Sequence, residues 1–150
     1  MTRARLASLR RRVAMSIVSL LLIMASGAAH HAQAQEDEII AGGKAKYQQY
    51  CASCHGAAGK GDGAMAALLV IKPADLTQLR KKNQGEFPFW QVYRTIDGRE
   101  TVRGHGTREM PLWGIMFQIE EGANGSHAQE DLVRGRIWQL VYYLESMQAP

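Results

Sequence analysis

The chain has 150 residues, 46% of them hydrophobic and 21% charged, with 18 basic and 14 acidic side chains and a formal net charge of +4. Five of those basic residues, Arg3, Arg5, Arg10, Arg11 and Arg12, precede the first acid, so residues 35–150 carry 13 basic against 14 acidic groups, a formal −1. The basic balance therefore belongs to the N-terminus, and nucleic-acid binding loses its main support.

The arginines are followed by an apolar run over 14–29 and by Ala32-Gln33-Ala34. A basic start, a short apolar core and a small-x-small site predict a secretory signal peptide over 1–34, cleaved after Ala34, and a single domain over 35–150. The alternative is an uncleaved membrane anchor, although the run is shorter than the ~20 residues a spanning helix needs.

After a polar lead-in over 35–38, Ile39 or Ile40, Gly43, Tyr47 and Tyr50 recur at intervals of three and four, one stripe of an amphipathic helix. Gly43 weakens a helix interior, so its use is the close approach of another helix. The helix runs into Cys51-Ala52-Ser53-Cys54-His55, the attachment signature of a c-type haem. Two thiols about a helical turn apart can add across the two vinyl groups of one porphyrin, and the adjacent imidazole then lies under the iron. Zinc would require four protein ligands, and these are the only two cysteines. A redox disulfide does not call for His55.

Residues 56–72, rich in glycine, read as a wrapping loop with a short apolar segment near its end. Pro73 limits any helix before it, and Asp75 caps a short helix through Leu79. Arg80, Lys81 and Lys82 read as a solvated basic face. Pro88 opens a helix with Phe89, Val92 and Ile96 on its buried side, stopped by Asp97-Gly98. Phe87, Phe89 and Trp90 read as core around a cofactor. A glycine-rich loop over 98–114 carries Met110-Pro111-Leu112-Trp113-Gly114 near its end, followed by the apolar residues 115–117 and a polar surface excursion over 118–125. Ser126 with Gln129 forms a capping box. Val133, Ile137, Leu140, Val141, Leu144 and Met147 then make a helical stripe to the end of the chain.

A haem iron has a second axial position, for which Met65, Met110, Met116, Met147, His105 and His127 are the candidates. Met147 lies on a core stripe, Met65 is close to the attachment turn, and Met116 suits the core. Met110, in a loop that needs an organising contact, is favoured, with His105 its main rival. A thioether sulfur suits low-spin iron and favours the reduced state.

The set Gly43-x3-Tyr47-x3-Cys51, Cys-x-x-Cys-His-Gly, Lys-Pro-Ala-Asp-Leu at 72–76, Met-Pro-Leu-Trp-Gly at 110–114 and Tyr142-Tyr143-Leu144 resembles a class I cytochrome c of the small exported bacterial type. The resemblance implies an all-α fold of four to five short helices around one covalent haem c, with first and last helices crossing so that Gly43 and Tyr47 meet 140–144. It implies thioethers at Cys51 and Cys54, axial ligation by His55 and Met110, and a hydrogen bond from the other nitrogen of His55 to the carbonyl of Pro73. Propionate partners are sought among Arg94, Arg99, Arg103, His105 and Trp113. The function implied is a periplasmic one-electron carrier, not an enzyme, with redox proteins as partners: a dehydrogenase or cytochrome complex as donor, an oxidase or reductase as acceptor. No nucleic acid is expected, and a membrane only if the leader stays. The same domain as a subunit draining a dehydrogenase or feeding a terminal oxidase is the alternative. A gas sensor or peroxidase-like enzyme needs an open sixth site, against which Met110 argues.

Overall fold

The structure is a computed structural model and describes residues 31, 33–99, 110–122 and 125–149. The chain divides into two compact units, Met1–Glu38 and Ile39–Pro150. In the first unit the described residues are helical and exposed, and Gln33 Nε2 donates to Asp37 Oδ1 across one turn at 3.2 Å. The polar lead-in is thus helical, supported by an i,i+4 pair rather than by an apolar stripe.

Every regular element described in the second unit is helical: α1 (39–50), α2 (Ala52–His55), α3 (Leu79–Lys82), α4 (Phe89–Asp97), α5 (Trp113–Glu120) and α6 (His127–Ser146). Single 3-10 turns lie at Ala66–Leu68 and Leu76–Gln78. No described helix is long and apolar enough to cross a membrane.

The stripe of α6 organises the core. Val133, Ile137, Leu140, Val141, Tyr143 and Leu144 are buried, and α4 and α5 pack on α6 and on each other. The first and last helices cross at Gly43. A Cβ there would lie 2.7 Å from the Gln139 carbonyl carbon and 2.8 Å from Tyr143 Cβ, so only glycine lets the two backbones approach this closely. One turn on, Tyr47 is fully buried with its ring 5.3 Å from that of Tyr143.

The helix ends follow their local chemistry. Ser126 accepts from the Gln129 N–H at 3.2 Å, and the Gln129 side chain reaches back to accept from the Gly125 N–H at 2.7 Å. The capping pair is therefore present, with its return bond one residue before the cap. Helix α4 buries Val92 and Ile96 as expected and ends at Gly98, which is left-handed at φ 66°.

Two expectations need correction. The segment over 113–120 is a helix, not the end of a loop and the start of a surface excursion. Its buried residues are Gly114 and Phe117, while Ile115, Met116 and Ile119 are exposed. Apolar residues on the outer face hide the helical period. Trp90 is 59% exposed rather than core. Its ring lies 5.5 Å from Trp138, in a cluster that also holds Phe89 and Tyr93 on the flank of α4 and α6.

Candidate functional site

Tyr47 of α1 accepts from the Cys51 N–H at 2.9 Å, and Cys51 accepts from the N–H groups of Cys54 and His55 at 3.1 and 2.9 Å. The five-residue motif is therefore one helical turn continued from α1. In such a turn positions i, i+3 and i+4 are neighbours, which places Cys51, Cys54 and His55 together on one face. Both cysteines are free thiols. Cys51 is buried, and burial, followed by the nearby Cys54, pushes its pKa up to about 12. The Cys51 thiol thus sits in an apolar setting that disfavours its thiolate.

The loop after the motif folds back over it. The Gly61 N–H donates to the His55 carbonyl at 2.8 Å, Gly63 to Cys54 at 3.1 Å and Met65 to Ser53 at 2.9 Å. Tyr47 Oη donates to the Gly56 carbonyl at 2.7 Å from a fully buried position, and burial raises its pKa.

The His55 ring is fixed from the segment after Pro73. Its Nδ1 lies 3.0 Å from the carbonyl of Ala74. A carbonyl only accepts, so Nδ1 carries the proton and Nε2 keeps the lone pair. The expected acceptor was the Pro73 carbonyl, one residue earlier. That oxygen is instead covered by Gly61, where a Cβ would collide with it, and Ala74 presents the oxygen that reaches the ring. The segment is held in place by three ties. Leu76 N–H donates to Gly59 at 2.7 Å, Asp75 caps the turn by accepting from Thr77 N and Oγ1 at 2.9 and 2.6 Å, and Gln148 donates to the Leu76 carbonyl at 2.8 Å. The Thr77 bonds hold the Asp75 carboxyl below its ordinary pKa.

Met110 is half-buried and packs on the same buried cluster that contains Cys51. Trp113 also borders that cluster, its ring 5.3 Å from Tyr50 and 5.8 Å from Phe117. Of the rival sixth ligands, Met65 and Met116 are 45% and 43% exposed. His127 is exposed at the start of α6, and Gly59 faces the sulfur of Met147, which half-buries it by ordinary packing. His105 and Arg103 lie outside the described residues.

Arg99, weighed as a propionate partner, is committed elsewhere. Its Nη1 and Nη2 donate to the two oxygens of Glu130 at 2.7 and 2.8 Å, and its Nε donates to Asp97 Oδ1 at 2.6 Å. Sequence reasoning missed this cluster; its only legible signal was Glu130 with Arg134 one turn on, a pair the structure closes at 3.2 Å. The Ala74 carbonyl had no signal, because a backbone acceptor leaves no mark in the sequence.

A family described as cytochrome c oxidase, cbb3-type, subunit III matches residues 38–144, most of the chain. The chain belongs to this family. No curated protein and no solved structure matches it. The cytochrome is thus a class I, monohaem c-type domain with one covalent haem c, an all-helical fold and an electron-transfer role exercised on redox partners.

This cytochrome's residues fit that group on their own geometry. Two free thiols and an imidazole share one helical face, and the imidazole has its Nδ1 proton engaged and its Nε2 lone pair available. Among the described residues no group of three or more His, Cys, Asp or Glu is arranged to hold a bare metal ion.

Proposed function

We propose that this cytochrome is an exported one-electron carrier in which Cys51 and Cys54 form the two thioethers, and His55 and Met110 are the axial ligands. The observation that carries the reading is the single face formed by Cys51, Cys54 and His55, with the ring anchored on Ala74 at 3.0 Å. The bound haem supplies an Fe(III)/Fe(II) couple that exchanges single electrons. The chain's own residues set its conditions. The Nδ1–H bond to Ala74 fixes the tautomer and orientation of His55 and makes Nε2 a stronger donor. The soft sulfur of Met110 favours the reduced state and fills the site a substrate or gas would need.

The N-terminus supports export: the arginines and apolar run over 3–29 with Ala32-Gln33-Ala34 form a leader cleaved after Ala34, leaving the domain in the periplasm. An intact mass of the exported protein reads that cleavage.

One observation favours a second reading. The matching family is described as an oxidase subunit, so the domain serves in that reading as a bound haem-c subunit handing electrons to a terminal oxidase. Co-purification with a membrane oxidase in mild detergent supports the subunit; a monodisperse, membrane-free cytochrome supports the carrier.

Reduced-minus-oxidised spectra with and without carbon monoxide test the ligation. The expected wild-type spectrum is low-spin and indifferent to carbon monoxide, while Met110→Ala keeps its covalent haem, binds the gas and has a lower potential. A Met110→Ala protein with wild-type spectrum and potential refutes the assignment of Met110.

A further inference from the structure

Arg99 joins three elements at one point. It leaves α4 just past the Gly98 cap, holds Asp97 of that helix through Nε, and grips Glu130 in the first turn of α6 through both terminal nitrogens. The cluster is half-sheltered, with side-chain exposures of 23% for Arg99, 12% for Asp97 and 27% for Glu130. Gln118 of α5 adds a donor to Glu130 at 3.3 Å, and Gln129 donates to the Gln118 carbonyl at 2.9 Å.

The third element is the start of α5. A Cβ on Gly114 would lie 2.7 Å from both Arg99 Nε and the Asp97 carbonyl oxygen and would collide with Asp97 Oδ1. Backbone and ion pair are therefore in direct contact, with the Asp97 carboxylate at the N-terminal end of α5, where the helix dipole favours negative charge. Two residues earlier, Leu112 lies against Gly98, where a Cβ would be 2.7 Å from Leu112 Cδ2. Residues 112–114 thus rest on 97–99. Met110 stands immediately before them, followed by Pro111, whose ring restricts the backbone at 110.

We propose that Arg99 is a positioning residue for Met110: by clamping Asp97 to Glu130 under the start of α5, it holds the Met110 sulfur at the iron. This rests on the reading of Met110 as axial ligand. The clamp acts through planar, charge-assisted, two-pronged hydrogen bonds, the strongest directional contacts a side chain offers. A lysine cannot reproduce the fork. Loss of the clamp frees the 112–114 segment to shift, and a thioether, a weak ligand held by its chain, is then displaced more readily by an added base.

The test is the affinity of the ferric, haem-loaded protein for added imidazole, which competes with the Met110 sulfur. Arg99→Met is expected to raise that affinity roughly tenfold, the scale of one lost charged hydrogen bond, and Arg99→Lys to fall between it and wild type. Glu130→Gln, which keeps an acceptor and removes the charge, is the second variant should Arg99→Met fail to fold, and is expected to move the affinity in the same direction. Arg136→Met is the control: it breaks ion pairs to Glu120 and Glu121 at the far end of α5 and should lower stability without changing imidazole binding. Wild-type affinity in folded Arg99→Met and Glu130→Gln, beside a raised affinity in Met110→Ala, overturns the positioning role and leaves the ligand assignment standing. A rise in Arg136→Met equal to that in Arg99→Met also overturns it, since general loosening then suffices. Unchanged affinity in Met110→Ala removes the ligand assignment and this inference with it.

Discussion

Gly43→Ala and Gly135→Ala separate helix propensity from helix contact in one measurement. Each puts a methyl group into a helix, which on propensity alone gains up to ~1 kcal/mol. At Gly135, on the exposed side of α6, nothing lies within 4 Å of the new carbon, so that gain should appear nearly whole. At Gly43 the carbon meets the Gln139 carbonyl and Tyr143 Cβ, atoms of a helix backbone and its root that cannot swing aside. The helices must part, and overpacking of this kind costs about 1–3 kcal/mol. The rigidity of the obstacle puts Gly43→Ala toward the upper end, for a net loss of about 1–2 kcal/mol after the propensity gain. In a domain of this size that lowers Tm by roughly 4–9 °C, whereas Gly135→Ala raises it by a few degrees. Guanidinium titration of the haem-loaded protein, followed by far-UV circular dichroism, should show the two midpoints moving in opposite directions at constant slope. A Gly43→Ala midpoint at or above wild type would refute the crossing.

Two further outcomes are expected. Tyr47→Phe removes the hydroxyl bond to the Gly56 carbonyl but leaves that oxygen its bond from the Gly59 N–H at 3.1 Å, so the loss should be only about 0.5–1.5 kcal/mol by the same titration, and a larger one would contradict this partition. Glu130, held down to about 2 mainly by its hydrogen bonds from Arg99, has a folded pKa below its ordinary 4.5 and contributes stability above that value that is lost as pH falls from 4.5 toward 2; Glu130→Gln should flatten this part of the stability–pH curve, and an unchanged slope would refute it.

What the sequence disclosed tracks the range of the interactions. Helix α6 and the Ser126 cap were legible because their signals are local and periodic, and Gly43 because a glycine in a stripe has few other uses. The helical turn at 51–55 continues the period of α1, and the sequence-based expectation of haem attachment there rests on the Cys-x-x-Cys-His spacing alone. Helix α5 was not, because Ile115, Met116 and Ile119 point outward and blur the period that Gly114 and Phe117 keep. The acceptor for His55 was displaced from Pro73 to Ala74 by the close seat of Gly61, a contact between segments. Arg99 was invisible as a clamp because Glu130 lies 31 positions away.

The most direct test of the central claim is the intact mass of the purified exported protein after extraction with acid acetone, for wild type and for the Cys51→Ala, Cys54→Ala double variant. Wild type should retain the mass of one haem after extraction, and the double variant should lose all of it. A colourless wild-type chain at the mass of the bare polypeptide, or a double variant that keeps its haem, would contradict covalent attachment at the turn from which the rest of the structure is built.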